Sequence, residues 1–237
     1  MLKSITEMGY VIRSVDVDTF YDSIYKSYTE SIRRCVPQYD EMLKSLFIYL
    51  KPDFSPEKIL ELGCGTGNLT QLVHLKFPNA SITAVDISAE CIGECKSRIS
   101  SSNIEYVKSD FKEIDFSDNC FDLIVSSISI HHLKDSDKEI LFEKLYKYQS
   151  ANGVLSFCDQ FKGETKFIYQ KHIERWKEFA IEQGASNDEW AMWMKHQQEH
   201  DYHSTLANHL HWIKNAGYSL VDCTRKHLLW TTIYAEK

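Results

Sequence analysis

The sequence predicts an α/β fold built on a doubly wound, mostly parallel sheet, and three observations predict it. Short β-type runs alternate with helical patterns from residue 58 to about residue 160. The first run drives directly into a turn with three glycines and then a helix, in KILELGCGTGNLTQL over residues 58–72. The chain has 237 residues, 43% of them hydrophobic, enough to bury one large core.

The elements follow in order. Residues 1–57 read as an N-terminal helical cap. Strands are expected at Lys58–Leu62, Ser81–Ile87, Ile104–Ser109, Phe121–Ser127 and Gly153–Cys158, where β-branched and aromatic residues cluster between turn signals. Helices are expected between them at Asn68–Lys76, Ala89–Ser100 and Ser136–Gln149; in the last, Ile140, Leu141, Leu145 and Tyr148 recur at helical spacing. Ligands of such sheets lie beyond the carboxyl ends of the strands, so residues 58–160 form the binding half. Residues 161–203 carry no clear strand and hold three of the five tryptophans; they read as a helical insertion, a lid. In residues 204–237 a helix is closed by Gly217, a strand follows at Tyr218–Thr224, and the last strand, Leu229–Ala235, returns as an antiparallel hairpin partner. The expectation is a single domain, 1–237, with seven strands.

Composition excludes several classes. No apolar run is long enough to cross a bilayer, and the N-terminal MLKSITEMGYVIRSVD has no uninterrupted apolar stretch, so no membrane association and no secretion are expected. Seven cysteines without a CxxC pair suit neither a disulfide framework nor a zinc site; reduced cytosol is the expected location. A formal charge of −7, with no long Lys/Arg block, gives no footprint for a nucleic-acid partner.

The glycine turn lacks the GxGxxG spacing of dinucleotide sites, because Asn68 stands where the third glycine would fall. The pattern Glu61-Leu62-Gly63-Cys64-Gly65-Thr66-Gly67 instead lets a ligand lie against the backbone, with helix N–H groups beside it. It suits a nucleoside with a charged amino-acid tail. At the end of the second strand, AVDIS puts Asp86 and Ile87 where a carboxylate can accept hydrogen bonds from two ribose hydroxyls. VKSDF puts Asp110 and Phe111 at the end of the third, suited to an adenine amino group and ring face.

In the order and spacing of these motifs, together with FDLIVSSISIHHL, the chain resembles the class I S-adenosylmethionine-dependent methyltransferases, whose sheet is Rossmann-like. The resemblance implies S-adenosyl-L-methionine as cofactor. Gly63 and Gly65 would approach its methionine part, Glu61 help hold the amino group, Asp86 take the ribose, Asp110 and Phe111 the adenine, and Ser126 or Ser127 lie under the sulfonium. YTESIRRCVPQYDEML is similar to the segment before the sheet in tRNA wobble-uridine carboxymethyl-transfer enzymes and the small methyltransferases related to them. That likeness implies that Tyr39 closes over the methionine end; a core tyrosine using its polar tip fits the residues equally well. Those enzymes need an arginine in the helix before the sixth strand, where this chain has Trp212, with Lys214 on another helical face. The expected reaction is therefore ordinary methyl transfer to nitrogen or oxygen of a small-molecule acceptor. A wobble-uridine transferase using a carboxylated cofactor and a non-catalytic nucleoside-binding regulator are the alternatives; a homodimer is compatible with each.

A sulfonium is already activated, so the protein mainly positions the nucleophile. His131 and His132 follow the fourth strand, and period-2 alternation after Ser127 and Ser129 selects His131 as the catalytic candidate. Trp190, Trp193 and Trp212 are the candidates for acceptor contact through ring faces. HQQEHDYH contains His196, Glu199, His200 and His203; three histidines at spacings of four and three can share a helix face, but an aromatic-packed face explains them more simply, and no metal is assigned.

Overall fold

The computed structural model describes residues 16–237. The N-terminal stretch read as lacking an apolar leader lies almost wholly outside them. Helix α1 (Val17–Cys35) ends where Val36 adopts an extended backbone, φ −98° and ψ 117°, as the residue before Pro37 must. Helix α2 (Tyr39–Ser45) follows at once.

The binding half then alternates β1 (Lys58–Leu62), α3 (Asn68–Lys76), β2 (Ser81–Asp86), α4 (Ala89–Arg98), β3 (Ile104–Lys108) and β4 (Phe121–Ser127). After a 3₁₀ turn at Ile130–His132 come α5 (Asp135–Tyr148) and β5 (Gln149–Gln160). The insertion consists of α6 (Lys166–Glu182) and α7 (Asn187–His200), and the chain continues through α8 (Leu206–Ala216), β6 (Leu220–His227) and β7 (Trp230–Glu236). Ser88, Thr165, Ser186 and Thr205 cap α4, α6, α7 and α8, each accepting a backbone N–H with its side-chain oxygen. Gly217, at φ 118°, closes α8.

The seven strands are ordered β3-β2-β1-β4-β5-β7-β6, and only β7 runs antiparallel to its neighbours. The doubly wound, mostly parallel sheet expected from the sequence is thus the observed one. β1 is central and alternates across it: Ile59 faces the layer holding α1, α2, α3, α4, α6 and α7, while Leu60 and Leu62 face α5 and α8. Strand β5 is longer than the expected Gly153–Cys158. It starts in the polar Gln149–Gly153 stretch, where the ladder to β4 shifts between Phe121 and Leu123 and Asn152 takes φ 66°. A bulge of polar residues carries no strand pattern, which is why the sequence hides it.

Helix α7 is tied to α1 by Glu189. Its carboxylate accepts from Arg34 Nη2 at 2.6 Å, Arg34 Nε at 3.1 Å and Ser31 Oγ at 2.5 Å. Trp190 packs edge-on against Trp176, with ring centroids 4.9 Å apart, and Trp193 Nε1 donates to Ser31 Oγ at 3.2 Å. The insertion therefore packs on the N-terminal helix over one face of the sheet. Among the described residues no helix is long and apolar enough to cross a membrane, and all seven cysteines are free thiols.

Candidate functional site

The three glycines of the turn after β1 all have positive φ: Gly63 74°, Gly65 50° and Gly67 91°. At Gly63 the requirement is also steric, because a Cβ there would come within 2.5 Å of the Ser129 Cβ. Ser129 and Ser126 brace the turn from the next strand, both donating to the Leu62 carbonyl, at 3.1 Å and 2.8 Å. Asp86 closes the turn from β2: its Oδ2 accepts from the Gly65 N–H at 2.7 Å and its Oδ1 from the Ser88 N–H at 2.9 Å. Burial pushes the Asp86 carboxyl above its ordinary value, against the opposing pull of those N–H groups.

A cavity of about 290 Å³ opens beyond the carboxyl ends of β1 to β4. That size suits a small-molecule ligand. Gly63, Gly65, Asp86, Ile87, Asp110, Phe111, Ser127 and Tyr39 all border it, so eight of the residues expected to hold the cofactor meet in one place. Asp110 accepts from the Lys112 N–H at 2.9 Å and pairs with Lys112 Nζ at 3.2 Å, which holds its carboxylate at the rim. Tyr39 is buried, and its hydroxyl accepts from Asn68 Nδ2 at 3.3 Å.

Glu61 is placed differently. It lies under the turn, fully buried, with neither carboxylate oxygen hydrogen-bonded, and it does not border the cavity. Burial, with Cys95 beside it, pushes its carboxyl well above the ordinary range.

The far end of the cavity is built mostly from residues to which the sequence assigned no role at the site. Tyr21 and Tyr28 reach it from α1, His132 from the 3₁₀ turn, and His200 and Tyr202 from the end of the insertion. Tyr21 Oη and His132 Nε2 are 3.1 Å apart. Burial, reinforced by His131, holds His132 below the ordinary imidazole value and keeps it neutral.

His131, the catalytic candidate, does not border this cavity. Period-2 alternation ends at Ser127: Ile128 has φ 50° and the chain coils into the 3₁₀ turn, so His131 points back into the protein and its neighbour points forward. His131 is fixed there by Asp159 of β5, with Nδ1 2.5 Å from Oδ1 and the backbone N–H donating to Oδ2 at 3.0 Å.

The three tryptophans are also elsewhere. Trp190 and Trp193 are consumed by packing against Trp176 and α1, and neither borders the cavity. Trp212, at the position matched to the arginine of the carboxymethyl-transfer enzymes, lies in the α5–α8 layer against His209 and does not border the cavity. Of residues 161–203, only the terminal His200 and Tyr202 border the cavity.

Residues 59–153 match the family model described as methyltransferase domain. The chain is 37% identical over 122 residues to a malonyl-[acyl-carrier protein] O-methyltransferase of Bacillus cytotoxicus, a match covering 51% of this chain and 41% of that protein. It thus spans about two fifths of the length of that relative. Against a carboxy-S-adenosyl-L-methionine synthase of Nautilia profundicola the identity is 24%, over 92% of this chain and 94% of the other. Among solved structures, phosphoethanolamine N-methyltransferase 2 of Haemonchus contortus, in complex with S-adenosyl-L-methionine, shares the fold with a TM-score of 0.68, at 17% identity over 94% of this chain and 59% of that one.

Proposed function

We propose that this chain, which carries a class I S-adenosylmethionine-dependent methyltransferase domain, transfers a methyl group to a nitrogen or oxygen of a small molecule. The observation that carries the reading is one continuous cavity. Its near end is the glycine turn with Asp86, Asp110 and Phe111, and its far end is Tyr21, Tyr28 and His132.

In this reading Asp86 accepts the ribose hydroxyls, Phe111 lies against the adenine, and the opened backbone of Gly63 and Gly65 receives the methionine part. Ser127 lies beside the sulfonium, and Tyr39 over the methionine end. The cofactor supplies an electrophilic methyl group. The protein's share is to hold the acceptor in line and exclude competing water. Tyr21 Oη, steadied by His132 Nε2, is the polar group at the acceptor end, and Tyr28 gives it an aromatic wall. An acceptor held there would bring its lone pair to that methyl group and release its own proton to solvent, with sulfur as the leaving group. No acid is needed to activate the leaving group.

The test is equilibrium binding of S-adenosylhomocysteine, followed by incubation with methyl-labelled S-adenosylmethionine and fractionated extract. We expect binding, with label in the small-molecule fraction. Absence of S-adenosylhomocysteine binding overturns the cofactor assignment, and label confined to RNA or protein overturns the acceptor class.

A second reading, use or formation of a carboxylated cofactor, is favoured by the likeness to carboxy-S-adenosyl-L-methionine synthases along nearly the whole of both chains. A buried extra carboxylate needs a cation. Lys112 and Lys134 border the cavity; Lys112 is paired with Asp110, so Lys134 is the side chain that would meet it. Preference for the carboxylated cofactor in the same binding assay, lost in Lys134→Met, selects this reading.

A further inference from the structure

Behind the acceptor end of the cavity, four imidazoles converge on one buried carboxylate. Asp201 Oδ1 lies 3.1 Å from His132 Nδ1, 3.5 Å from His131 Nε2 and 3.8 Å from His196 Nε2; Asp201 Oδ2 lies 3.4 Å from His203 Nε2. The residues come from three separate parts of the fold: the 3₁₀ turn after β4, the last turns of α7 and the segment following it. All are at least mostly buried, His131 and His196 at 2% and 4% exposure.

Hydrogen bonding alone does not account for this arrangement. One carboxylate balances one imidazolium, yet four imidazole nitrogens face it. Asp201 Oδ1 and His203 Nε2 make no hydrogen bond despite these short approaches, and neither ring nitrogen of His196 is bonded at all. Leaving such groups dry and unpaired costs about 1–3 kcal/mol each. The outward-facing nitrogens of the other three are well served: His131 Nδ1 by Asp159 at 2.5 Å, His132 Nε2 by Tyr21 Oη at 3.1 Å, and His203 Nδ1 by Tyr169 Oη at 2.7 Å. Outer partners that fix ring orientation and leave inner lone pairs converging are the usual surroundings of metal-binding histidines.

We propose that His131 Nε2, His132 Nδ1 and Asp201 Oδ1, with a water as fourth ligand, form a binding site for one divalent transition-metal ion of the zinc class. Bonds of 2.0–2.1 Å at a tetrahedral zinc ion place ligand atoms about 3.3 Å apart. The approaches of 3.1 and 3.5 Å to Asp201 Oδ1 bracket that value, and the ligand atoms of His131, His132 and Asp201 all lie within 4.8 Å of one another. A void of about 20 Å³ beside them, bordered by His131, His196 and Asp201, has room for the water. Two imidazoles and a carboxylate suit zinc, iron or nickel and disfavour magnesium or calcium, which prefer oxygen. His203 holds the second Asp201 oxygen and is a positioning residue. The ion neutralises Asp201 and lets each inward nitrogen keep its lone pair. Coordination through Nδ1 leaves the His132 proton on Nε2, donated to Tyr21 Oη, so the ion sets the hydrogen-bond direction at the cavity wall. The site itself does not depend on methyl transfer being the reaction.

The experiment uses the full chain, stripped with chelator and titrated with Zn²⁺ and, separately, with Co²⁺. We expect one equivalent of Zn²⁺ per chain, a rise in melting temperature on its addition, and visible d–d bands of four-coordinate Co²⁺. His131→Ala and Asp201→Asn should each weaken Zn²⁺ binding at least 100-fold. Asp159→Asn, which alters only the outer partner of His131, should weaken it about 10- to 100-fold. His211→Ala, on the exposed face of α8, should change nothing. If Asp201→Asn fails to fold, the His131→Ala titration and the Co²⁺ spectrum of the unmodified chain still decide. Absence of stoichiometric Zn²⁺ binding, a six-coordinate Co²⁺ spectrum, or binding undiminished in His131→Ala overturns the site.

Discussion

Tyr21 and His132 meet at 3.1 Å, joining the second turn of α1 to the 3₁₀ turn after β4. The contact sets a hydroxyl into the cavity wall opposite the glycine turn. Residues more than a hundred positions apart thereby define the end of the cavity assigned to the acceptor.

Tyr21→Phe removes that hydroxyl and leaves the ring, which is edge-on to Phe20 and Tyr28. A lost hydrogen bond to a reacting group is worth about 1–2 kcal/mol, or roughly five- to thirtyfold. We expect kcat/KM to fall by about that factor while S-adenosylhomocysteine affinity stays within twofold. Equal loss in cofactor affinity would move Tyr21 to the cofactor end.

Asp86→Ala should weaken S-adenosylhomocysteine binding by about 1–2 kcal/mol, read by titration calorimetry. Two effects act together, since the side chain also accepts the Gly65 and Ser88 N–H groups. Asp86→Asn keeps one oxygen for the turn but loses the charge, so it should fall between wild type and Asp86→Ala. Unchanged affinity in both removes Asp86 from the ribose.

The parts of this site that the sequence makes legible are local in the chain. The glycine turn, Asp86 and the Asp110–Phe111 pair each sit immediately after a strand, so finding the strands finds them. What stays hidden depends on where local rules stop. The choice between His131 and His132 turns on Ile128, whose φ of 50° ends the strand alternation, and nothing in SSISIHH announces a positive φ at isoleucine. Tyr21, Asp159 and Asp201 come together only through the packing of α1 and α7 on the sheet. The aromatic content of the insertion was visible, but its use was not: Trp190 and Trp193 serve the α1–α7 contact that Glu189 anchors through Arg34 and Ser31.

Two glycine-to-alanine substitutions should have opposite signs. Gly63→Ala meets both a positive φ and the Ser129 side chain, so it should displace the turn and abolish measurable cofactor binding. Gly93 lies inside α4 with nothing within 4 Å of an added Cβ. There alanine should raise stability by about 0.5–1 kcal/mol in urea unfolding and leave cofactor affinity alone. A stabilising Gly63→Ala would show that the turn is not held as described.

His209 gives the chain a pH-dependent stability of predictable sign. It is buried on α8 between Phe161 and Trp212, and burial, partly offset by the hydrogen bond of Nδ1 to the Thr205 carbonyl at 2.9 Å, lowers it to about 4. The unfolded chain binds this proton near pH 6.5, whereas the folded chain resists it until about pH 4. Between those values the unfolded state therefore holds more protons, so stability rises with pH and is lost as pH falls through the window. From pH 6.5 to 5 the loss from this residue is about 2 kcal/mol. His209→Phe retains the ring volume and removes the titration, so urea unfolding at pH 7 and pH 5 should show a smaller difference in the variant by that amount. An equal difference in both proteins would mean that His209 takes up its proton without unfolding.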